Sequence, residues 1–315
     1  MEQAAIVTDF RAMNTDIELY IYTSTEFAKL KDTNQRLNDL GGRIKLLFQQ
    51  AESCLSRFRP ESELSHLNAA GRIMWASPLL FTTIAEAVKM AELTEGIFDP
   101  TILQALEQAG YNRSFELLGK DSLWPAVLTR ATINGSYRDI KLEPATRTVT
   151  LTSQIKLDLG GVAKGMTVDC AAQLIRQHGF GNFMVNAGGD IYVAGSYNKQ
   201  RCDWPIGVLN PVTLSGNLTT LYATNSGIAT SATTKRSWGV GSHKRNHLID
   251  PRTSLTVDNG LAAVSVIAPT TRQADVLAKT ALILGPHDGR KFIEQQPNCK
   301  ALFISYSGEL FVSNK

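Results

Sequence analysis

The chain has 315 residues, enough for one large domain or two, and its 43% hydrophobic and 19% charged residues are those of an ordinary globular protein with a buried core. Its net charge of +3 comes from scattered Lys and Arg, so it lacks the basic blocks of a nucleic-acid or anionic-membrane surface but suits a small anionic substrate. Four widely spaced cysteines without zinc spacing, no apolar run of about 18 residues and no signal-peptide pattern read as a cytoplasmic protein with free thiols that neither spans nor binds a membrane.

In chain order, Thr15–Thr23 alternates Ile17, Leu19 and Ile21 with polar positions, which predicts a half-buried strand. Residues 33–58 carry Leu37, Leu40, Ile44, Phe48 and Leu55 at helical spacing, although Gly41-Gly42 weakens that helix. Ser77-Pro78 supplies an N-cap and a first-turn proline, and Gly96 closes the helix that follows. A short helix is expected over 101–108, and short strands over 131–157, with Asn134-Gly135 as a hairpin turn.

Residues 165–178 predict a helix stopped by Gly179. Strands over 183–185 and 191–193 flank the turn Asn186-Ala187-Gly188-Gly189-Asp190, and further strands are expected near Ile206, Leu221, Ile228 and Leu248. Leu261–Ala268 reads as a strand, 271–284 as a helix ended by Gly285, and 302–312 as a hairpin turning at Ser307-Gly308. Helices and strands mix without βαβ alternation, so the fold class is α+β.

One stretch stands out chemically: Leu157-Asp158-Leu159-Gly160-Gly161-Val162-Ala163-Lys164-Gly165. A carboxylate at a strand end, bare backbone and a lysine at a helix start suit a phosphate-plus-metal site, but equally a structural bend. Other polar clusters also fall in loops: 56–64, Gly96 to Thr101, Asn186 to Asp190, Ala229-Thr230-Ser231, His247 to Thr253, and Ala274-Asp275. Singly, Asp99-Pro100 is also a plain helix start, Asn186 to Asp190 a tight turn, and His247 a core histidine.

In this order, D-L-G-G-V-A-K-G, N-A-G-G-D-I, A-T-S, H-L-I-D-P-R-T and V-I-A-P…A-D…A-L-I-L-G closely resemble the FAD:protein FMN transferase (ApbE-like flavin transferase) family from Met13 nearly to Gly285. The resemblance implies a single domain over 1–315, built as an ApbE-like fold of mixed or antiparallel sheets and packed helices, with an FAD cleft between two intertwined subdomains. It implies Mg²⁺-assisted transfer of FMN from FAD to a Ser or Thr hydroxyl in the flavinylation motif of an acceptor flavoprotein, with release of AMP.

By position in the family, Met13, Phe58, Phe98 and Asp99 line the FAD pocket. Asp158 and Lys164 contact the nucleotide, Asn186, Gly188, Gly189 and Asp190 lend it backbone N–H groups, and Thr230 and Ser231 belong to the same binding set. His247 sits by the pyrophosphate as candidate base, because its usual pKa suits a proton acceptor near neutral pH. The Gly161 carbonyl and the Asp275 carboxylate are the implied metal ligands, and Asp275 is thereby counted with His247 as catalytic.

The family usually has Gly where Asn14, Ala232 and Ser254 stand, and a ligating Thr where Lys279 stands. A protonated lysine has no lone pair for a metal. Lys279 therefore pairs with Asp275 one helical turn away, or takes the metal's place against the phosphates, or leaves Thr280 to substitute. A chain with such an altered metal end is also readable as an FAD-binding protein, or as a hydrolase yielding FMN and AMP.

Overall fold

The Thr15–Thr23 alternation becomes the first fixed edge of a large sheet. In the computed structural model, which describes residues 3–23, 33–115, 134–197, 202–239 and 245–313, β1 (Gln3–Ala12) and β2 (Thr15–Thr23) pair antiparallel. Met13 and Asn14 make the two-residue turn with φ of 50° and 60°, the left-handed pair that matches strand twist. Ile17, Leu19 and Ile21 are fully buried.

Helix α1 (Thr33–Leu55) contains both Gly41 and Gly42 and buries Leu40, Ile44 and Phe48. Helix α2 (Glu63–Ala70) is capped by Ser62 and followed by β3 (Arg72–Ile73). Helix α3 (Pro78–Leu93) starts as expected: the Leu80 N–H donates to the Ser77 hydroxyl, and Pro78 needs no partner for an N–H it lacks. Helix α4 (Leu103–Gln108) begins two residues beyond its expected start.

The Asn134-Gly135 pair makes no hairpin. It leads into a 3₁₀ turn (Tyr137–Asp139) capped by Ser136, and β4 (Ile140–Glu143) reverses into β5 (Thr148–Leu151) through residues 144–147. The glycine serves a close approach: a Cβ at Gly135 would lie 2.7 Å from Asp139 Oδ2. Residues 131–133 of that stretch lie outside the described residues.

Helix α5 (Ala163–Gln177) starts two residues early and stops before left-handed Gly179. The chain continues through β6 (Asn182–Ala187), β7 (Asp190–Ala194), β8 (Trp204–Leu209), β9 (Asn217–Ala223) and β10 (Ser226–Ala232). The strand expected near Leu248 shrinks to β13 (Ile249–Asp250), among the two-residue strands β11 (Ser237–Trp238), β12 (Arg245–Asn246) and β14 (Leu255–Thr256). β15 is Leu261–Ala268, as read. Helix α6 (Thr271–Gln295) breaks at Gly285, whose φ of 87° and ψ of −179° end the first segment; a second runs on after Pro286. β16 (Lys300–Ser305) and β17 (Leu310–Val312) form the closing hairpin.

Eight strands join in the order β1-β2-β6-β7-β10-β15-β16-β17, every pairing antiparallel. On one face α1 and α5 bury Phe48, Val168 and Ile175 against Ile17, Leu19 and Val185, and α6 buries Leu277 and Leu282 against Val264 and Phe303. Each such side chain contributes about 1.5–3 kcal/mol by burial. The β8–β9 hairpin covers the other face with Trp204, Ile206 and Val208. A smaller sheet, β3-β5-β4, packs with α2 and α3 around Leu67, Ile84 and Val149. Among the described residues no helix is long and apolar enough to cross a membrane.

Candidate active site

The flagged loops converge because two helices cross almost in backbone contact. A Cβ at Gly165 would lie 2.6 Å from the Cα of Arg272, so only glycine lets α5 approach the first turn of α6 this closely. Asp169 secures the crossing by accepting from the N–H groups of Thr271 (2.7 Å) and Arg272 (3.2 Å). Lys164 on α5 and Asp275 and Lys279 on α6 consequently line the same cleft, which encloses about 660 Å³. The β1–β2 and β6–β7 hairpin tips meet on its rim, where Gly188 packs on Thr15.

The Asp158 turn forms one wall. Leu157, Leu159 and Val162 anchor it in the core, and the Asp158 N–H donates to the Pro100 carbonyl at 2.8 Å. The Asp158 carboxylate accepts from the Gly160 N–H (2.9 Å) and from Arg57 Nε (2.5 Å). Arg57 Nη2 also donates to the Tyr111 carbonyl at 2.9 Å. Its guanidinium carbon lies 4.1 Å from the Phe58 ring centre and 4.8 Å from that of Tyr111. Tyr111 in turn stacks on Trp238 at 5.6 Å, and the Trp238 indole N–H holds the Ala109 carbonyl. This end of the cleft is thus an aromatic shelf with a paired charge beneath it, a surface suited to a planar ring.

The other end is basic. Lys164 bonds to Asp190, and Lys279 bonds to Asp275, with Lys235 and Arg236 beside them. Burial pushes the Lys164 ammonium down to about 7, with Lys279, Arg236 and Lys235 adding to the effect and Asp275 opposing it. His247 is held well below the usual histidine range, first by burial and then by Arg236 and Lys279. It is therefore neutral at neutral pH, and its Nδ1 is buried without a hydrogen-bond partner, as is Asp275 Oδ2. Orphaned buried polar atoms are costly, and both belong to residues that line the cleft.

Of the residues named from sequence, Met13, Phe58, Phe98, Asp158, Gly161, Lys164, Gly188, Asp190, Thr230, Ser231, His247, Asp275 and Lys279 line this cleft. Asp99 lines it too, but its carboxylate is committed to Thr101 (N–H 2.8 Å, hydroxyl 2.7 Å) and to the Tyr137 N–H (3.0 Å), so it ties loops together. Asn186 and Gly189 stand outside the lining. Asn186 donates to Glu18 and accepts from the Gly189 N–H, which shapes the turn. Tyr111, Trp238, Lys235 and Arg236 received no sequence-based role: nothing local marks them, and their place is set by contacts with distant elements.

Three glycine replacements divide in two. Asn14 and Ser254 both adopt φ of 60°, a conformation natural to glycine, whereas Ala232 lies in β10.

The side chains present do not fit a bound Mg²⁺. Lys279 occupies Asp275 Oδ1, a lysine offers no lone pair, and among the described residues no group of three or more His, Cys, Asp or Glu is arranged to hold a metal ion.

Comparison with known proteins places this architecture. The FAD:protein FMN transferase of Treponema pallidum (strain Nichols) is 29% identical over 275 residues, 82% of this chain and 75% of that relative. That of Vibrio cholerae serotype O1 is 26% identical over 258 residues, 80% of this chain and 75% of the relative. The crystal structure of the ApbE protein from Thermotoga maritima shares the fold with a TM-score of 0.83 at 24% identity, over 99% of this chain and 97% of that one. The flavin transferase ApbE from Vibrio cholerae does so with a TM-score of 0.76 at 23% identity, over 100% and 98%. The ApbE family model matches residues 13–303, and the chain belongs to the ApbE family.

Proposed function

We propose that this chain is an FAD:protein FMN transferase, moving FMN from FAD to a Ser or Thr hydroxyl of an acceptor flavoprotein and releasing AMP. One observation carries the reading: a single cleft joins an aromatic shelf (Phe58, Tyr111) to a basic end (Lys164, Lys279, Arg236), with a neutral, half-buried histidine beside the latter. A dinucleotide with a planar ring and a diphosphate needs both surfaces. In this reading FAD lies between the eight-stranded-sheet layer and the smaller-sheet layer. Four free cysteines support a reducing, cytoplasmic setting.

In the transfer, the acceptor hydroxyl oxygen bonds to the phosphorus of the FMN half. The bond from that phosphorus to the bridging oxygen breaks, and AMP leaves with that oxygen. His247 takes the hydroxyl proton. Lys164, Lys279 and Arg236 offset the charge that builds on the phosphate oxygens.

The test combines purified protein, FAD and an acceptor bearing a Ser/Thr flavinylation motif. The expected result is in-gel flavin fluorescence on the acceptor, a mass gain of one FMN and matching AMP release. No covalent flavin with or without Mg²⁺ refutes transfer. The Lys279–Asp275 pair favours a second reading, FAD binding with hydrolysis to FMN and AMP. Product analysis without acceptor separates the two.

A further inference from the structure

Lys279 and Asp275 stand one turn apart on α6, yet theirs is no surface pair. Their side chains are only 16% and 4% exposed, and both line the cleft. Lys279 reaches across the glycine turn of residues 158–165 to get there. A Cβ at Gly161 would lie 3.3 Å from Lys279 Cε and 3.5 Å from Cδ, and 2.8 Å from a Phe98 ring carbon. Gly161 is thus a cradle in which a methyl group would clash with the Phe98 ring and press on the lysine stem. The ammonium is anchored on Asp275 Oδ1, while Asp275 Oδ2 has no partner. A lysine ammonium has three donors, so one bond to Asp275 leaves two for a ligand.

The charges agree with this arrangement. Without a cation, buried Asp275 would place an uncompensated negative charge where an anionic ligand must come. Asp190 raises the same difficulty and is paired with Lys164. Each carboxylate at the basic end therefore has its own lysine, and Lys235 and Arg236 remain in excess. The cleft is set for a diphosphate from its own side chains.

We propose that Lys279 is a built-in cation that stands in for a divalent metal. Anchored by Asp275 and seated over Gly161, its ammonium binds the diphosphate of FAD, and the chain holds FAD without Mg²⁺. The inference rests on the functional reading above and specifies how its substrate is bound.

The test measures FAD affinity by quenching of flavin fluorescence, in EDTA and in MgCl₂, for the unmodified chain, Lys279→Thr and Lys279→Arg. The unmodified chain should bind FAD equally in both media. Lys279→Thr should lose roughly 10- to 100-fold in EDTA, the effect of one charge-assisted hydrogen bond, and recover with Mg²⁺. Lys279→Arg keeps the charge and should bind in EDTA, which controls for folding. Mg²⁺ alone, without FAD, should raise the melting temperature of Lys279→Thr and leave that of the unmodified chain unchanged. FAD binding by the unmodified chain that requires Mg²⁺ overturns the inference and spares the functional reading. Equal binding in EDTA by the unmodified chain and Lys279→Thr does the same. No FAD binding by the unmodified chain in either medium overturns both.

Discussion

Two helical glycines should respond in opposite ways to the same added methyl group. Gly165 sits in the first turn of α5, where a Cβ would meet Arg272 Cα at 2.6 Å, Arg272 N at 2.7 Å and Thr271 C at 3.0 Å. All three are backbone atoms of α6, and Asp169 fixes that turn through two N–H groups, so no side chain can swing aside. Gly42 lies within α1 and is exposed, and a Cβ there meets nothing within 4 Å. Alanine is favoured over glycine in a helix by about 1 kcal/mol. Gly42→Ala should therefore stabilise the protein by about 0.5–1 kcal/mol.

At Gly165 the same gain is opposed by overpacking, typically about 1–3 kcal/mol and here at the upper end because rigid backbone must move. The net expectation for Gly165→Ala is a loss of about 2 kcal/mol. It should also weaken FAD binding, since separating α5 from α6 moves Lys164 away from Asp275. Equilibrium urea unfolding followed by circular dichroism reads both variants, and flavin fluorescence reads the affinity. If Gly165→Ala is as stable as the unmodified chain, or both substitutions act in the same direction, the close crossing is not what requires glycine at 165.

Lys164 makes FAD affinity pH-dependent. Its amine titrates near 7 in the free protein, and the diphosphate favours its charged form, so binding should weaken as pH rises above about 7, and Lys164→Met should flatten the curve. A lysine whose folded pKa lies below its unfolded value of 10.5 holds its proton in the unfolded chain over that interval. The FAD-free protein should accordingly gain stability from about pH 7 towards 10.5, and a loss over that range contradicts the assignment. For His247, held well below 6.5, the acidic limb of the transfer rate should fall below pH 6.5. His247→Gln should lower that rate by about 10²–10⁴-fold while FAD still binds; an unchanged rate removes it as the base. Arg57→Met leaves the half-buried Asp158 carboxylate without its cation and should cost about 1–3 kcal/mol in urea unfolding, part of it restored by Asp158→Asn. Additive effects of these two substitutions would show that the pair is not coupled.

Period-2 alternation located β2, 3.6-residue spacing located α1, and local cap chemistry located the starts and ends at Ser77-Pro78 and Gly285. These signals were legible because they depend on neighbours within a few residues. The ordered motifs from Met13 nearly to Gly285 were enough to indicate the family before any coordinates. The sequence also raised the question of Lys279 without answering it, since spacing alone allowed a surface pair, a cation in the cleft or a shifted ligand.

The fold decided what depends on distant elements meeting. Arg57 and Asp158 lie 101 positions apart, and Tyr111 stacks on Trp238 from a distant part of the chain; no periodicity reports such partners. Asn134-Gly135 looked like a hairpin because turn composition is local, whereas its close approach to Asp139 is not. The bonds of the Asp99 carboxylate to Tyr137 and of the Asn186 amide to Glu18 likewise join residues that no local pattern connects. Hydrophobic pattern records whether a side chain is buried, not what it is buried against, and it is the near-contact of α5 and α6 at Gly165 that makes one site of Lys164, Asp275 and Lys279.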